Sequence, residues 1–233
     1  ERLSQLVKQR ENKYWYRDYE DFYACLENGM QMITLIRKYQ KSKIESFTDG
    51  VNSYIQQLYK IDYHYRRYIN HYRKAKQNKV LQPLTEKVEK VYCNNWLLDY
   101  GNEWQRVIDA TETWYNSMKT SQYRFFTDHV KPVISKGQRL FVIISDALRY
   151  ECGWEYLQNI HSEKRFEGDL EYMVSALPSY TQLGMAALLP NANVSVQPKT
   201  DNIFIDGNPT QGIQGRSKIL EQLTGVRATA INA

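Results

Sequence analysis

The hydrophobic pattern of this chain changes period once, near Lys136-Gly137, and the two sides call for different architectures. Before that point apolar residues recur at steps of three and four, which line one face of an α-helix. Phe22, Leu26, Ile33 and Ile36 mark one such helix, with Gly29 a weak spot inside it. Leu58, Ile61, Tyr65, Tyr68 and Tyr72 form a second stripe. Gln82-Pro83 interrupts the pattern, and Val88, Val91, Tyr92 and Leu98 resume it. Trp104, Ile108, Tyr115 and Met118 carry it on across Gly101, with loops expected near 41–50 and 76–83. Residues 1–136 are therefore expected to form a helical bundle domain.

After Gly137 the pattern alternates between strand and helix. Arg139–Ser145 (RLFVIIS) is a continuous apolar run, the signature of a strand covered on both faces of a parallel sheet. Helix is expected over 148–160, a second strand over 170–177, and a second helix over 179–189, ended by Pro190. A short strand over 202–206, a third helix over 213–223 and a strand beginning at Val226 complete the reading. The expected class is α + α/β, with residues 137–233 forming the first part of an α/β domain whose sheet is mainly parallel.

Composition narrows the setting. No apolar run approaches the ~18 residues that span a bilayer. Cys25, Cys93 and Cys152 are odd in number and form no CxxC pair, which argues against a disulfide framework or a cysteine zinc site and favours a reducing, cytoplasmic compartment. The net charge of +5 permits an anionic partner without demanding one. A chain that opens on Glu1 without a leader is read as a piece of something longer.

Two segments carry candidate chemistry. Asp146 follows the first apolar strand, so its carboxylate is expected at the carboxyl edge of the sheet, where ligands of open α/β sheets gather and a hard oxygen donor suits a divalent cation. The competing reading is an Asp that caps the next helix. In Leu177–Met185 (LPSYTQLGM) a turn leads into a helix with hydroxyls at the junction. A hydroxyl there can serve as a nucleophile toward phosphorus, provided that a metal stabilises its alkoxide. The competing reading makes Ser179 or Thr181 a simple N-cap.

Together the blocks resemble a known family. Ile143–Glu151 (IISDALRYE), Leu177–Pro190 (LPSYTQLGMAALLP) and Phe204–Leu220 (FIDGNPTQGIQGRSKIL) are similar to successive blocks of the PglZ family, the phosphatase-like component of bacteriophage exclusion (BREX) systems. Tyr14–Leu26, Ile61–Tyr72 and Leu84–Leu97 resemble the region before the catalytic domain in its type A branch. The resemblance implies an alkaline-phosphatase-like α/β domain over 137–233, with Asp146 as a metal ligand and Thr181 as both metal ligand and nucleophile. It implies a two-metal mechanism with zinc, a phosphoester substrate and other BREX components as partners. The remaining Asp and His ligands of such a site are missing. His64, His71 and His129 precede the domain, His161 is out of order, Asp201 is available, and Asp206 reads as structural. The piece is thus expected to bind metal weakly and to catalyse poorly. Arg149, Glu151 and Arg216 are candidates for shaping the site or meeting a phosphate; solvated helix residues or surface ion pairs are the alternative.

Lys60–Lys79 holds seven Lys or Arg, four tyrosines and one acid, Asp62. Arg66, Arg67, Arg73 and Lys74 could form a nucleic-acid surface, or simply the wet side of a helix whose tyrosines face a core. Two functions remain in competition: part of a phosphoester hydrolase, and a DNA- or protein-interaction module of a defence complex.

Overall fold

A computed structural model describes residues 2–112, 120–222 and 227–231. In chain order the first helices are α1 (Arg2–Glu11), α2 (Glu20–Tyr39), α3 (Phe47–Ser53), α4 (Tyr59–Lys74), α5 (Asn78–Tyr92) and α6 (Asp99–Asp109). There follow α7 (Lys131–Ile134), α8 (Tyr150–Ser162), α9 (Thr181–Ala187), strands β1 (Val194–Val196), β2 (Ile203–Ile205) and β3 (Asn208–Pro209), and α10 (Gly212–Glu221). The chain divides into two compact units, 1–114 with 149–170, and 115–148 with 171–233.

The first unit is helical, as the spacing requires. Cys25, Met32 and Ile36 of α2 meet Ile61 and Tyr68 of α4 and Leu81, Val88 and Tyr92 of α5 in one buried cluster. Gly29 is no weak spot. A Cβ there would stand 3.0 Å from two ring carbons of Tyr68, so its bare Cα lets α2 and α4 approach closely. Pro83 does not break a helix either, because it lies inside α5. It withholds a donor from the carbonyl four residues back, on exposed Lys79, which water can satisfy. Tyr115 and Met118 of the expected stripe lie outside the described residues.

Two π-helical turns, Tyr54–Leu58 and Cys93–Leu98, join α3 to α4 and α5 to α6. Both help to deliver donors to Asp62. Tyr54 Oη donates to its Oδ2 at 2.6 Å, and Tyr92 Oη and Trp96 Nε1 donate to its Oδ1 at 2.8 and 3.3 Å. Burial first, and the Asp62 charge second, push both tyrosine hydroxyls far above the usual phenol range. The lone acid of the basic helix is thus its polar anchor. On the same unit, Tyr59 and Tyr63 of α4 pack on Trp154 of α8 at centroid distances of 5.5 and 5.2 Å.

In the second unit Leu183, Ala186 and Ala187 of α9 pack with Ile203, Ile205 and Ile219. The three strands are antiparallel in the order β1-β2-β3, with Val194 opposite Ile205 and Phe204 opposite Pro209. Asp206 and Gly207, both at positive φ, form the two-residue turn between β2 and β3.

The mainly parallel sheet is therefore not seen among the described residues. Arg139–Ser145 forms no strand, and Phe141 and Ile143 are 80% and 91% exposed. An apolar run with two apolar faces holds a strand only when neighbours pair with its edges and cover its faces, and no described residue pairs with it. Of the expected strand over 170–177, one parallel bridge forms, Ser121 to Val174. The expected third helix ends at Glu221, Leu223 and Val226 lie outside the described residues, and 227–231 is not a strand.

Candidate active site

The second unit brings together the two residues singled out for chemistry. Thr181 Oγ1 donates to Asp146 Oδ2 at 3.0 Å across 35 positions of chain. The other carboxylate oxygen, Oδ1, accepts the backbone N–H of Ala147 at 3.0 Å. Ala147 itself sits at φ 54°, a left-handed conformation that costs a non-glycine residue ~1–2 kcal/mol. Asp146 and Thr181 are both exposed, so a cation or an ester can reach them.

Neither residue caps a helix. The N-cap of α8 is Arg149, with no side-chain cap, so Asp146 does not cap that helix. The N-cap of α9 is Tyr180, again without a side-chain cap, and Thr181 is the first helical residue. Its hydroxyl is spent on Asp146 instead.

The carboxylate and hydroxyl are hard oxygen donors at close range, which suits part of a divalent-metal shell. Among the described residues no group of three or more His, Cys, Asp or Glu is placed to hold a metal. His64 Nδ1 pairs with Asn28 at 2.9 Å, His71 with Asp21 at 2.8 Å, His129 with Glu171 at 3.6 Å, and His161 with the Gly168 carbonyl at 3.1 Å. Asp206 accepts the backbone N–H groups of Ala192 and Asn193, a structural duty. Asp201 is exposed.

The other candidates sit as follows. Arg149 is exposed. Glu151 is 1% exposed, with Oε1 3.8 Å from Arg66 Nε and Oε2 lacking a partner among the described residues. Arg66 Nη2 holds Glu155 at 2.6 Å and Arg67 Nη1 holds it at 3.4 Å, so both arginines are engaged in ion pairs. Burial lowers the pKa of Arg66, but the Glu155 hydrogen bond and charge outweigh it, and the net shift is upward. Arg73 and Lys74 are exposed at the end of α4. Arg216 is half-buried on α10, with no partner for Nε among the described residues. An open groove of about 630 Å³ between Phe126 and Gln222 is lined by neither Asp146 nor Thr181. Pattern reading missed Asp62 and the burial of Glu151; a single acid inside a basic, tyrosine-rich helix was the available signal for the first.

No described helix is long and apolar enough to cross a membrane. No solved structure matches the chain. Among curated proteins, the alkaline phosphatase-like protein BrxZ of Escherichia coli O9:H4 (strain HS) is 35% identical over 240 residues, and the alkaline phosphatase-like protein PglZ of Bacillus cereus (strain H3081.97) is 28% identical over 221. The alignments take in 97% and 94% of this chain but only 28% and 26% of those relatives. Residues 125–233 match the family model for the BREX system PglZ alkaline phosphatase-like domain. Over residues 125–233 the chain thus carries the sequence of the PglZ alkaline phosphatase-like domain of BREX systems.

Proposed function

We propose that this chain contributes the nucleophile, Thr181, and two metal ligands, Asp146 and Thr181 itself, to a phosphoester hydrolase that acts in phage defence in the cytoplasm, alongside other BREX components. The single observation that carries the reading is the Thr181–Asp146 hydrogen bond at 3.0 Å on two exposed side chains. By donating its hydrogen to the carboxylate, the hydroxyl keeps its lone pairs free for an incoming phosphorus. As Oγ1 bonds to phosphorus, the ester P–O bond breaks, the threonine proton passes to solvent, and the leaving oxygen takes up a proton. Water then cleaves the Oγ1–P bond and regenerates the hydroxyl.

Asp146 and Thr181 would hold a divalent cation, two zinc ions serving the complete site. Such a metal lowers the pKa of a bound hydroxyl and offsets phosphate charge. Among the described residues no third ligand joins Asp146 and Thr181, and in this reading a 233-residue chain with two ligands binds metal weakly and turns over slowly. In the same reading residues 137–233 are the first part of an α/β domain, and Arg139–Ser145 becomes an inner strand of its parallel sheet once neighbours pair with it.

The test is aryl phosphate turnover with Zn²⁺ in a longer protein that contains this chain. Thr181→Ala and Asp146→Ala should each lower turnover at least a hundredfold, the scale of losing a nucleophile or a ligand. Unchanged turnover in both variants would remove the assignment.

A further inference from the structure

The helix that presents Thr181 is short, and its placement depends on a residue that no sequence pattern singled out. Gln122 lies in a 3-10 turn, Gln122–Arg124. Its backbone N–H donates to the Val174 carbonyl at 3.0 Å, next to the parallel bridge between Ser121 and Val174. Its side-chain Oε1 accepts the N–H of Ala176 at 2.9 Å. Ala176 is buried, and five residues later the chain reaches Thr181. The same side chain lies against α9 at Gly184, where an added Cβ would stand 3.5 Å from Gln122 Nε2. The far end of α9 is tied to the same turn. Asn191 Nδ2 donates to the Ala187 and Leu189 carbonyls at 3.3 and 2.7 Å, and lies 3.3 Å from the Tyr123 carbonyl. The segment entering α9, its middle and its exit therefore all rest on residues 121–123.

We infer that Gln122 is a positioning residue for the proposed nucleophile: through Ala176 and Gly184 it fixes where α9 starts, and hence where Thr181 Oγ1 meets Asp146. The inference concerns geometry and rests on the proposed function only for its catalytic meaning. Gln122 touches neither the ester nor a metal. A buried N–H that loses its acceptor must find another or pull its segment toward water, and either response shifts the turn into α9.

Three variants of the 233-residue chain test this: Gln122→Met, which keeps length without an acceptor, Gln122→Glu, which restores one, and Thr181→Val as a control for the hydroxyl. Two readouts serve, amide exchange at Ala176 and the NMR shift of the Thr181 methyl group. Gln122→Met should speed Ala176 exchange roughly fivefold, the worth of one hydrogen bond, and move the Thr181 methyl resonance. Gln122→Glu should return both toward the parent values. Unchanged readouts in Gln122→Met overturn the inference. So does a Gln122→Glu variant as disturbed as the methionine one, since general loss of packing would explain both. Aryl phosphate turnover in a longer protein separates the two ideas. Inactivity of the parent counts against the proposed function, whereas the NMR outcome alone decides the role of Gln122.

Discussion

Arg66 offers a quantitative test of whether the basic helix is a ligand surface or a structural one. The Glu151 side chain is 2% exposed, and Arg66 Nε lies 3.8 Å from its Oε1. Arg66 also holds Glu155, whose side chain is 26% exposed. Removing one member of a fully buried ion pair costs about 3–5 kcal/mol, because the remaining charge stays behind without compensation. The Arg66 side chain is itself 36% exposed, so solvent screens part of that loss, and Arg66→Ala should destabilise the chain by about 2–3 kcal/mol. Arg73→Ala and Lys74→Ala, at exposed positions, should stay within about 0.5 kcal/mol. Adding Glu151→Leu to Arg66→Ala should recover most of the loss, since an apolar group of similar size no longer needs a cation. Urea unfolding at pH 7, followed by tryptophan fluorescence and fitted with a shared m-value, measures all four. An Arg66→Ala variant within 0.5 kcal/mol of the parent, or no recovery in the double variant, would refute the reasoning. The result also governs any nucleic-acid experiment. Charge reversal at Arg66 disturbs the fold, so Arg73 and Lys74 are the clean probes of a phosphate-binding face.

Asp62→Ala strips three donors of their acceptor and should cost about 3–4 kcal/mol by urea unfolding, with Asp62→Asn costing less because the amide oxygen still accepts from Tyr92 and Trp96; equal, small losses would contradict the anchor role. Gly29→Ala should lower stability by about 1–2 kcal/mol despite alanine's better helix propensity, because its Cβ meets the Tyr68 ring at 3.0 Å; a stabilised variant would show that α2 and α4 are free to part. His64, held down first by burial and then by Lys60, has its pKa lowered from 6.5 to about 4. The unfolded chain therefore binds this proton more readily, so stability should be full above pH 6.5 and fall on acidification to pH 4 by about 2 kcal/mol, the roughly 3 kcal/mol of the whole shift reduced by solvent screening of a part-exposed ring. His64→Gln should flatten that part of the pH–stability curve, and an unchanged slope would contradict it.

Helical spacing made α2, α4 and α5 legible, since one apolar stripe per helix is what a bundle must bury. The same spacing cannot say which helix covers which, so the packing of Trp154 on Tyr59 and Tyr63 was invisible. Gly29 and Pro83 misled for a related reason. Propensity treats both as breakers, whereas a close helix approach and a hydrated carbonyl make them tolerable in place. Arg139–Ser145 reads as a strand by composition, but pairing is a property of two segments, and among the described residues it has no mate. Asp146 and Thr181 were each ambiguous in the linear chain. A hydrogen bond across 35 positions is a tertiary fact that no local pattern encodes.

The most direct test of the central claim looks for the covalent product on the chain itself. A longer protein containing this sequence is mixed with aryl phosphate and Zn²⁺, quenched in acid and digested with trypsin, which releases Phe166–Lys199 with Thr181 as its only threonine. The account predicts one phosphoryl group on that peptide, placed on Thr181 by its fragment ions, absent from Thr181→Ala and sharply reduced in Asp146→Ala. Turnover that proceeds with no phosphoryl group on Thr181, or that survives Thr181→Ala undiminished, would contradict it.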